Sequence, residues 1–179
     1  MMTTFLFFAA ISYDGFLAGP DGDMTWAEKY LSADEDYGFT ALMSRSRAML
    51  MGARTFDFEL DALGNEPRVL PTYVLTNNPM RYDGVNDSEV TFVAGDIEQV
   101  VNKIKSEVSG QVFVVGGADV VRQLLAKNLL DHLTLFVCPD VLGSGTPLFS
   151  TSMDEALKAF TIEKTQAFSS GLIQYDYKN

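Results

Sequence analysis

Thiols and imidazoles are almost missing from this chain: one cysteine, Cys138, and one histidine, His132, among 179 residues. An intrachain disulfide is excluded, and so are the usual zinc constellations, which need several Cys or His ligands. Cys138 lies inside an apolar run and reads as a small buried hydrophobe. A Ser-His-Asp triad could draw only on His132, in Leu-Asp-His-Leu at an expected strand entrance, where a solvated imidazole is the plain reading. Cations are scarce too: 13 Lys and Arg against 24 Asp and Glu, a net charge of −11. Nucleic acid and anionic membranes both require clustered cations, so neither is an expected partner. A small phosphate-bearing molecule needs only local donors and stays open. Long apolar runs are also absent: Phe5–Ile11 is far too short to span a bilayer. The first basic residue is Lys29, so that run lacks the positive leader of a signal peptide. These absences lead us to expect a cytoplasmic protein with no metal site.

What is present is an ordinary globular composition, 47% apolar and 21% charged, at a length that suggests one domain over residues 1–179. Apolar β-rich segments are expected as strands at 5–11, 48–51, 69–76, 90–94, 111–115 and 133–138. Residues 160–168 and 173–177 read as a hairpin about Ser170-Gly171. Helices are expected at Asp34–Ser46, from near Arg54, after Asp96 and after Gly117. Asp34, Glu35 and Asp36 open the first of these, and Arg45 and Arg47 close it, matching the helix dipole. Asp96 followed by Gln99 has the form of a capping box, and Ile97, Val100, Val101, Ile104 and Val108 form a buried stripe. Residues 12–29, rich in Gly, Asp and Pro, read as a long loop. Alternating strands and helices closed by two strands define an α/β fold. Its central sheet is mainly parallel, with antiparallel C-terminal edge strands.

The most informative stretch is Val112-Phe113-Val114-Val115-Gly116-Gly117-Ala118-Asp119-Val120. A strand runs into paired glycines that open a helix. Such a turn brings bare backbone N–H groups to a positive helix end and removes side chains that would hold a ligand away. An anionic cofactor, most often a nucleotide diphosphate, is what this junction usually serves. A plain tight turn is the structural alternative. Arg122, further along the helix, reads as a solvated charge.

Four other segments fall in the same order as a known family. They are Ser12-Tyr13-Asp14-Gly15-Phe16-Leu17-Ala18, Met51-Gly52-Ala53-Arg54-Thr55-Phe56, Val74-Leu75-Thr76-Asn77-Asn78-Pro79, and the Pro139–Phe149 loop Pro-Asp-Val-Leu-Gly-Ser-Gly-Thr-Pro-Leu-Phe. With the Gly-Gly junction they resemble the dihydrofolate reductase superfamily. The likeness is nearer to its branch of riboflavin-biosynthesis reductase domains and small stand-alone relatives. It covers nearly the whole chain and implies the three-layer dihydrofolate reductase-like fold, with helices on both faces of the sheet.

The resemblance also implies NADPH, bound at the strands' carboxyl ends. Gly52, Arg54 and Thr55 would hold one side of its diphosphate. Gly116, Gly117, Ala118, Asp119 and Val120 would hold the other, with a cis peptide joining Gly116 to Gly117. Leu75, Thr76 and Asn77 would flank the adenosine ribose. Arginines that the folate reductases often carry are replaced here by Ala53 and Asn77, which leaves the choice between NADPH and NADH to Arg54. Asp36 falls on the family's active-site carboxylate, although an acidic first helical turn explains it equally. Asp14, Trp26, Thr40 and Phe56 are the expected substrate contacts, beside plainer readings of Asp14 as a turn former, Trp26 as a loop anchor and Phe56 as a core residue. Folate reductases have a large aromatic at the Thr40 position, so folate is disfavoured.

The function implied is hydride transfer from NADPH to a small heterocyclic or conjugated C=N or C=O substrate. Three alternatives stand beside it: a 5-amino-6-(5-phosphoribosylamino)uracil reductase, a dihydrofolate reductase, and a non-catalytic nucleotide-binding protein of the same fold. A homodimer is expected by the same resemblance, with the apolar terminal hairpin available for burial.

Overall fold

A computed structural model of the chain describes residues 2–31, 35–64 and 66–179. Its centre is an eight-stranded sheet built from β1 (Thr4–Ser12), β3 (Ser46–Gly52), β4 (Thr72–Leu75), β5 (Val90–Val93), β6 (Gln111–Gly116), β7 (His132–Cys138), β9 (Thr161–Ala167) and β10 (Ile173–Lys178). Across the sheet the order is β5-β4-β3-β6-β1-β7-β10-β9. The first six of these pair in parallel; β10 runs antiparallel to both β7 and β9. All six parallel strands therefore end on the same edge of the sheet, where helices begin and ligands bind in open α/β sheets.

Near-continuous apolar strands require cover on both faces. One face packs on α4 (Ile97–Glu107) and α5 (Ala118–Ala126), which bury Val100, Val101, Ile104, Val121 and Leu124 against Phe5, Leu50, Val112 and Val114. Each such side chain contributes roughly 1.5–3 kcal/mol by leaving water. The other face packs on α2 (Phe39–Arg45) through Leu42, Met49 and Phe113, and on α3 (Ala53–Leu63) through Phe56, Met51 and Val74. This is the three-layer α/β fold of the dihydrofolate reductase-like proteins.

Several boundaries differ from the sequence expectation for physical reasons. The strand expected at 69–76 starts at Thr72, because Pro71 has no N–H to give and Val69 is exposed. The helix expected from Asp34 starts at Phe39. Tyr37 (φ 54°) and Gly38 (φ 84°) turn the backbone into the left-handed region just before it, and Asp34 lies outside the described residues. The loop at 12–29 is more ordered than expected. It contains a strand, β2 (Phe16–Ala18), and a single helical turn, α1 (Thr25–Glu28). β2 pairs with β8 (Thr146–Pro147) inside the Pro139–Phe149 loop. A last short helix, α6 (Met153–Ala156), precedes the terminal hairpin. No helix is long and apolar enough to cross a membrane among the described residues.

Gly145 is where those two loops cross. At φ 135° its missing Cβ would lie 2.1 Å from the Ala18 carbonyl oxygen. Only glycine permits that approach and that backbone angle.

Candidate active site

β3 ends at Gly52 and β6 at Gly116, neighbours in the sheet, and each runs directly into a helix, α3 and α5. The two helix mouths touch: the Gly117 N–H donates to Thr55 Oγ1 at 2.8 Å. A Cβ on Gly52 would stand 3.2 Å from Val120 Cγ2, and one on Gly117 would stand 3.4 Å from Thr55 Oγ1. The glycines thus keep the space between the helices clear. A cleft of about 360 Å³ opens there.

Gly52, Arg54 and Thr55 line it from α3, Gly117, Asp119 and Val120 from α5, and Leu75, Thr76 and Asn77 from the end of β4. Gly116 and Ala118 are buried behind the wall rather than lining it. The peptide joining Gly116 to Gly117 is trans, since no cis bond occurs among the described residues. The expected cis link is therefore corrected. The turn is made by Gly116 at φ 134° and by Gly117 at φ 6°. Gly95 and Gln123 also line the cleft. Sequence reading missed both, although Gly95 closes β5 on the same sheet edge.

Helix capping distinguishes α3 and α5 from α4 and α6. Asp96 caps α4 by accepting from the Gln99 N–H at 3.0 Å, and Ser152 caps α6 through the Glu155 N–H. Neither Gly52 nor Gly117 has a side chain to cap its own helix, and among the described residues the one side-chain bond at either mouth is that of Thr55 Oγ1 to the Gly117 N–H. The first turns of α3 and α5 thus keep free N–H donors and a positive dipole end on one cleft, a combination suited to an anion.

Charge at the cleft mouth is arranged across it. Arg54 Nη2 lies 2.5 Å from Asp119 Oδ2, and Arg122 Nη2 lies 2.5 Å from Asp119 Oδ1. The Arg122 hydrogen bond, seconded by the charges of Arg122 and Arg54, holds the Asp119 carboxyl below its ordinary range despite partial burial. Arg122 also donates from Nη1 to the Pro147 carbonyl at 2.8 Å. It ties α5 to the β8 loop and is not the solvated charge expected from sequence.

At the neighbouring carboxyl ends of β1 and β7, the expected substrate contacts take different places. Asp14 accepts from the Ser12 hydroxyl at 2.7 Å and from the N–H groups of Leu142 and Gly143 at 3.1 and 2.7 Å. These bonds, the Ser12 one foremost, lower its pKa and make it the joint between two loops. Trp26 is half-buried on α1, and its Nε1 is the single buried side-chain N or O without a partner among the described residues. Thr40 is exposed on the first turn of α2. Phe56, expected to touch substrate, is 1% exposed. Its ring packs edge-on against Tyr82 and Phe92, with Arg68 over its face, so it belongs to the core and does not line the cleft.

Asp36 is exposed, and its carboxylate accepts from the Gly38 and Thr40 N–H groups at 2.8 and 3.0 Å. Hydrogen bonds from the Thr40 side chain and from these two amides depress its pKa. It closes the start of α2. Beside it a row of rings, Phe39, Phe8, Phe136, Tyr37 and Phe168, crosses the sheet from Phe113, with neighbouring centroids 4.9–6.3 Å apart. Tyr37 donates its hydroxyl to the Tyr30 carbonyl, and Tyr30 and Lys29 in turn are held by Asp140. No cluster of metal-ligating side chains occurs among the described residues.

Known proteins share this architecture. A proposed riboflavin biosynthesis protein from Shewanella sp. PV-4 superposes with a TM-score of 0.80 at 26% identity, covering 99% of this chain and 98% of that one. The Thermotoga maritima diaminohydroxyphosphoribosylaminopyrimidine deaminase/5-amino-6-(5-phosphoribosylamino)uracil reductase gives 0.72 at 16% identity, with 99% of this chain covering 56% of that one. Dihydrofolate reductase from Enterococcus faecalis, solved with NADP(H), gives 0.64 at 18% identity over 98% of this chain and 94% of that one. In sequence, the uncharacterized protein YyaP of Bacillus subtilis is 27% identical over 176 residues, 94% of this chain and 90% of YyaP. Residues 3–174 match the RibD C-terminal domain, so the chain belongs to the RibD C-terminal domain family, a family of reductase-like proteins.

Proposed function

We propose that the protein is a reductase that takes hydride from a reduced nicotinamide dinucleotide, NADPH in the first instance, and gives it to a small conjugated heterocycle. The observation that carries this is the pair of uncapped helix mouths meeting at Thr55 and Gly117 over a 360 Å³ cleft. The residues fit the group: the two glycines leave room for a diphosphate, and free N–H donors and Arg54 face it. Leu75, Thr76 and Asn77 supply an apolar wall and hydroxyl and amide groups for a ribose. When bound, the nicotinamide supplies the hydride.

The chain's own part is to bind, orient and exclude water. Gly52 and Gly117 admit the diphosphate to the backbone, and Thr55 fixes the spacing of the two mouths. The rings of Phe39, Phe8, Phe136, Tyr37 and Phe168, tilted 53–71° to their neighbours, form an apolar wall on the α2 side of the sheet, the surface proposed for the heterocycle. Asp36, kept ionised by its three hydrogen bonds, has no proton to give at neutral pH. Its carboxylate can orient a water or a protonated ring nitrogen of the substrate, and that is the role proposed for it.

Thermal shift with NADPH and NADH at saturating concentration tests the cofactor, since any ligand of the native state raises the melting temperature. NADPH oxidation assays with dihydrofolate, pterins, flavins and ribosylamino-pyrimidines test the substrate. Asp36→Asn keeps an oxygen for the Gly38 and Thr40 N–H groups while removing the charge, and should lower turnover without changing cofactor affinity. A protein that neither nucleotide stabilises is not this reductase.

A further inference from the structure

Asp119 stands in an unexpected place. It is an anion on the first turn of α5, at the mouth suited to binding one. Its two carboxylate oxygens have different kinds of partner. Oδ1 is bonded by Arg122, whose side chain is 25% exposed and whose other nitrogen is fixed on the Pro147 carbonyl. Oδ2 is bonded across the cleft by Arg54, whose side chain is 82% exposed. Arg122 is therefore held at both ends and Arg54 at one. Arg54 is also the one Lys or Arg lining the cleft among the described residues.

We propose that the Arg54–Asp119 pair is a latch across the cofactor cleft: Asp119 holds the site's lining cation to itself, and a diphosphate binds by capturing Arg54 from it. The inference rests on the nicotinamide dinucleotide reading above. An exposed ion pair is worth at most about fivefold in an equilibrium constant. Arg54 can therefore leave at little loss, and a diphosphate offers its guanidinium stronger, bidentate bonds. Asp119 remains paired with Arg122 after the exchange, so no carboxylate is left uncompensated. While it remains, Asp119 opposes every anion brought to the α5 mouth. It is a specificity-determining residue that sets affinity through a cation it does not own.

The test is a double-mutant cycle of wild type, Asp119→Asn, Arg54→Ala and the double variant, read as Kd by calorimetry for NADPH and for inorganic pyrophosphate. Asp119→Asn should tighten both ligands by about three- to tenfold, and Arg54→Ala should weaken them by at least as much. In the Arg54→Ala background, Asp119→Asn should gain less than about twofold, because the captured partner is gone. The latch is refuted if Asp119→Asn fails to tighten binding, or gains as much without Arg54 as with it. If pyrophosphate follows the coupled pattern and NADPH does not bind, the latch stands and the reductase reading falls. If NADPH binds and the two substitutions act independently, the reductase reading stands and the latch falls. If neither ligand binds any of the four proteins, both fall.

Discussion

Thr55→Val is the sharpest probe of the cleft. It exchanges a hydroxyl for a methyl of nearly the same shape, on a first helical turn where the two residues have similar propensity. The single bond removed is the 2.8 Å contact from the Gly117 N–H. An ordinary hydrogen bond contributes about 0.5–1.5 kcal/mol net, and a buried donor left unpaired costs about 1–3 kcal/mol. Both residues are half-buried, so the loss should be about 1–2 kcal/mol. In a chain of this size that lowers Tm by about 2–8 °C. The same energy, if spent on keeping the two helix mouths in register, weakens NADPH binding by about 5- to 30-fold. Thr55→Ser keeps the hydroxyl and should restore both. Calorimetric melting and NADPH titration of the three proteins settle the sign. Tighter binding in Thr55→Val would mean that Thr55 competes with the ligand for the Gly117 N–H, and the proposed strap between the mouths would be wrong.

Other perturbations test the frame around the site. Gly145→Ala places a Cβ 2.1 Å from the Ala18 oxygen at a φ of 135°; a loss of about 3 kcal/mol is expected, with faster proteolysis inside residues 13–23 as its local signature. Arg68→Met strands Glu59 in a pair whose side chains are 11% and 22% exposed and should cost about 2–3 kcal/mol in urea denaturation. Adding Glu59→Leu should recover part of it, as expected when both buried charges are removed together. Asp140 is lowered by its bonds from Lys29 and Tyr30. A depressed carboxylate contributes stability above its unfolded pKa and loses it as pH falls through the folded one. The urea-midpoint gap between wild type and Asp140→Asn should therefore be open at pH 7 and shrink towards closure below pH 4. An equal gap at both would exclude the clasp.

The parts of the fold that sequence reveals are those fixed by neighbours along the chain. Ile97, Val100, Val101 and Ile104 announce α4 because helical spacing puts them on one side, and Asp96 and Gln99 mark its start. The parallel strands are visible as apolar runs because both their faces are covered. What escapes is set by residues distant in sequence. β2 and β8 are too short to have a period of their own and exist because Phe16–Ala18 meets Thr146–Pro147 from 130 positions away. Arg122 looks solvated on a helical wheel, since nothing in its own helix announces the Pro147 carbonyl that receives it.

The two ends of the candidate site divide less simply. A glycine that opens a helix at a strand's end is a local signal, and two such signals on neighbouring parallel strands must meet once the sheet forms. That β3 and β6 are such neighbours is not a local signal; it is the family resemblance that assigns Gly52 and Gly117 to one cleft. The proton side depends instead on which donors surround a carboxylate. Asp36 has the same sequence neighbours whether it gives a proton or closes a helix. Its donors lie only two and four positions on, at Gly38 and Thr40, but it is the left-handed turn through Tyr37 and Gly38, preceding α2, that brings them there, and bonds of that kind favour the charged form. Phe56 is open to two readings, because its motif places it beside the cofactor turn while its type suits the core; Tyr82 and Phe92 from the far edge of the sheet enclose it and decide for the core. A motif carries the place of a glycine helix mouth from relatives to this chain, but not every detail of its backbone, since the Gly116–Gly117 peptide is trans. Still less does it carry the surroundings of a side chain such as Phe56, which are made by partners the motif does not contain.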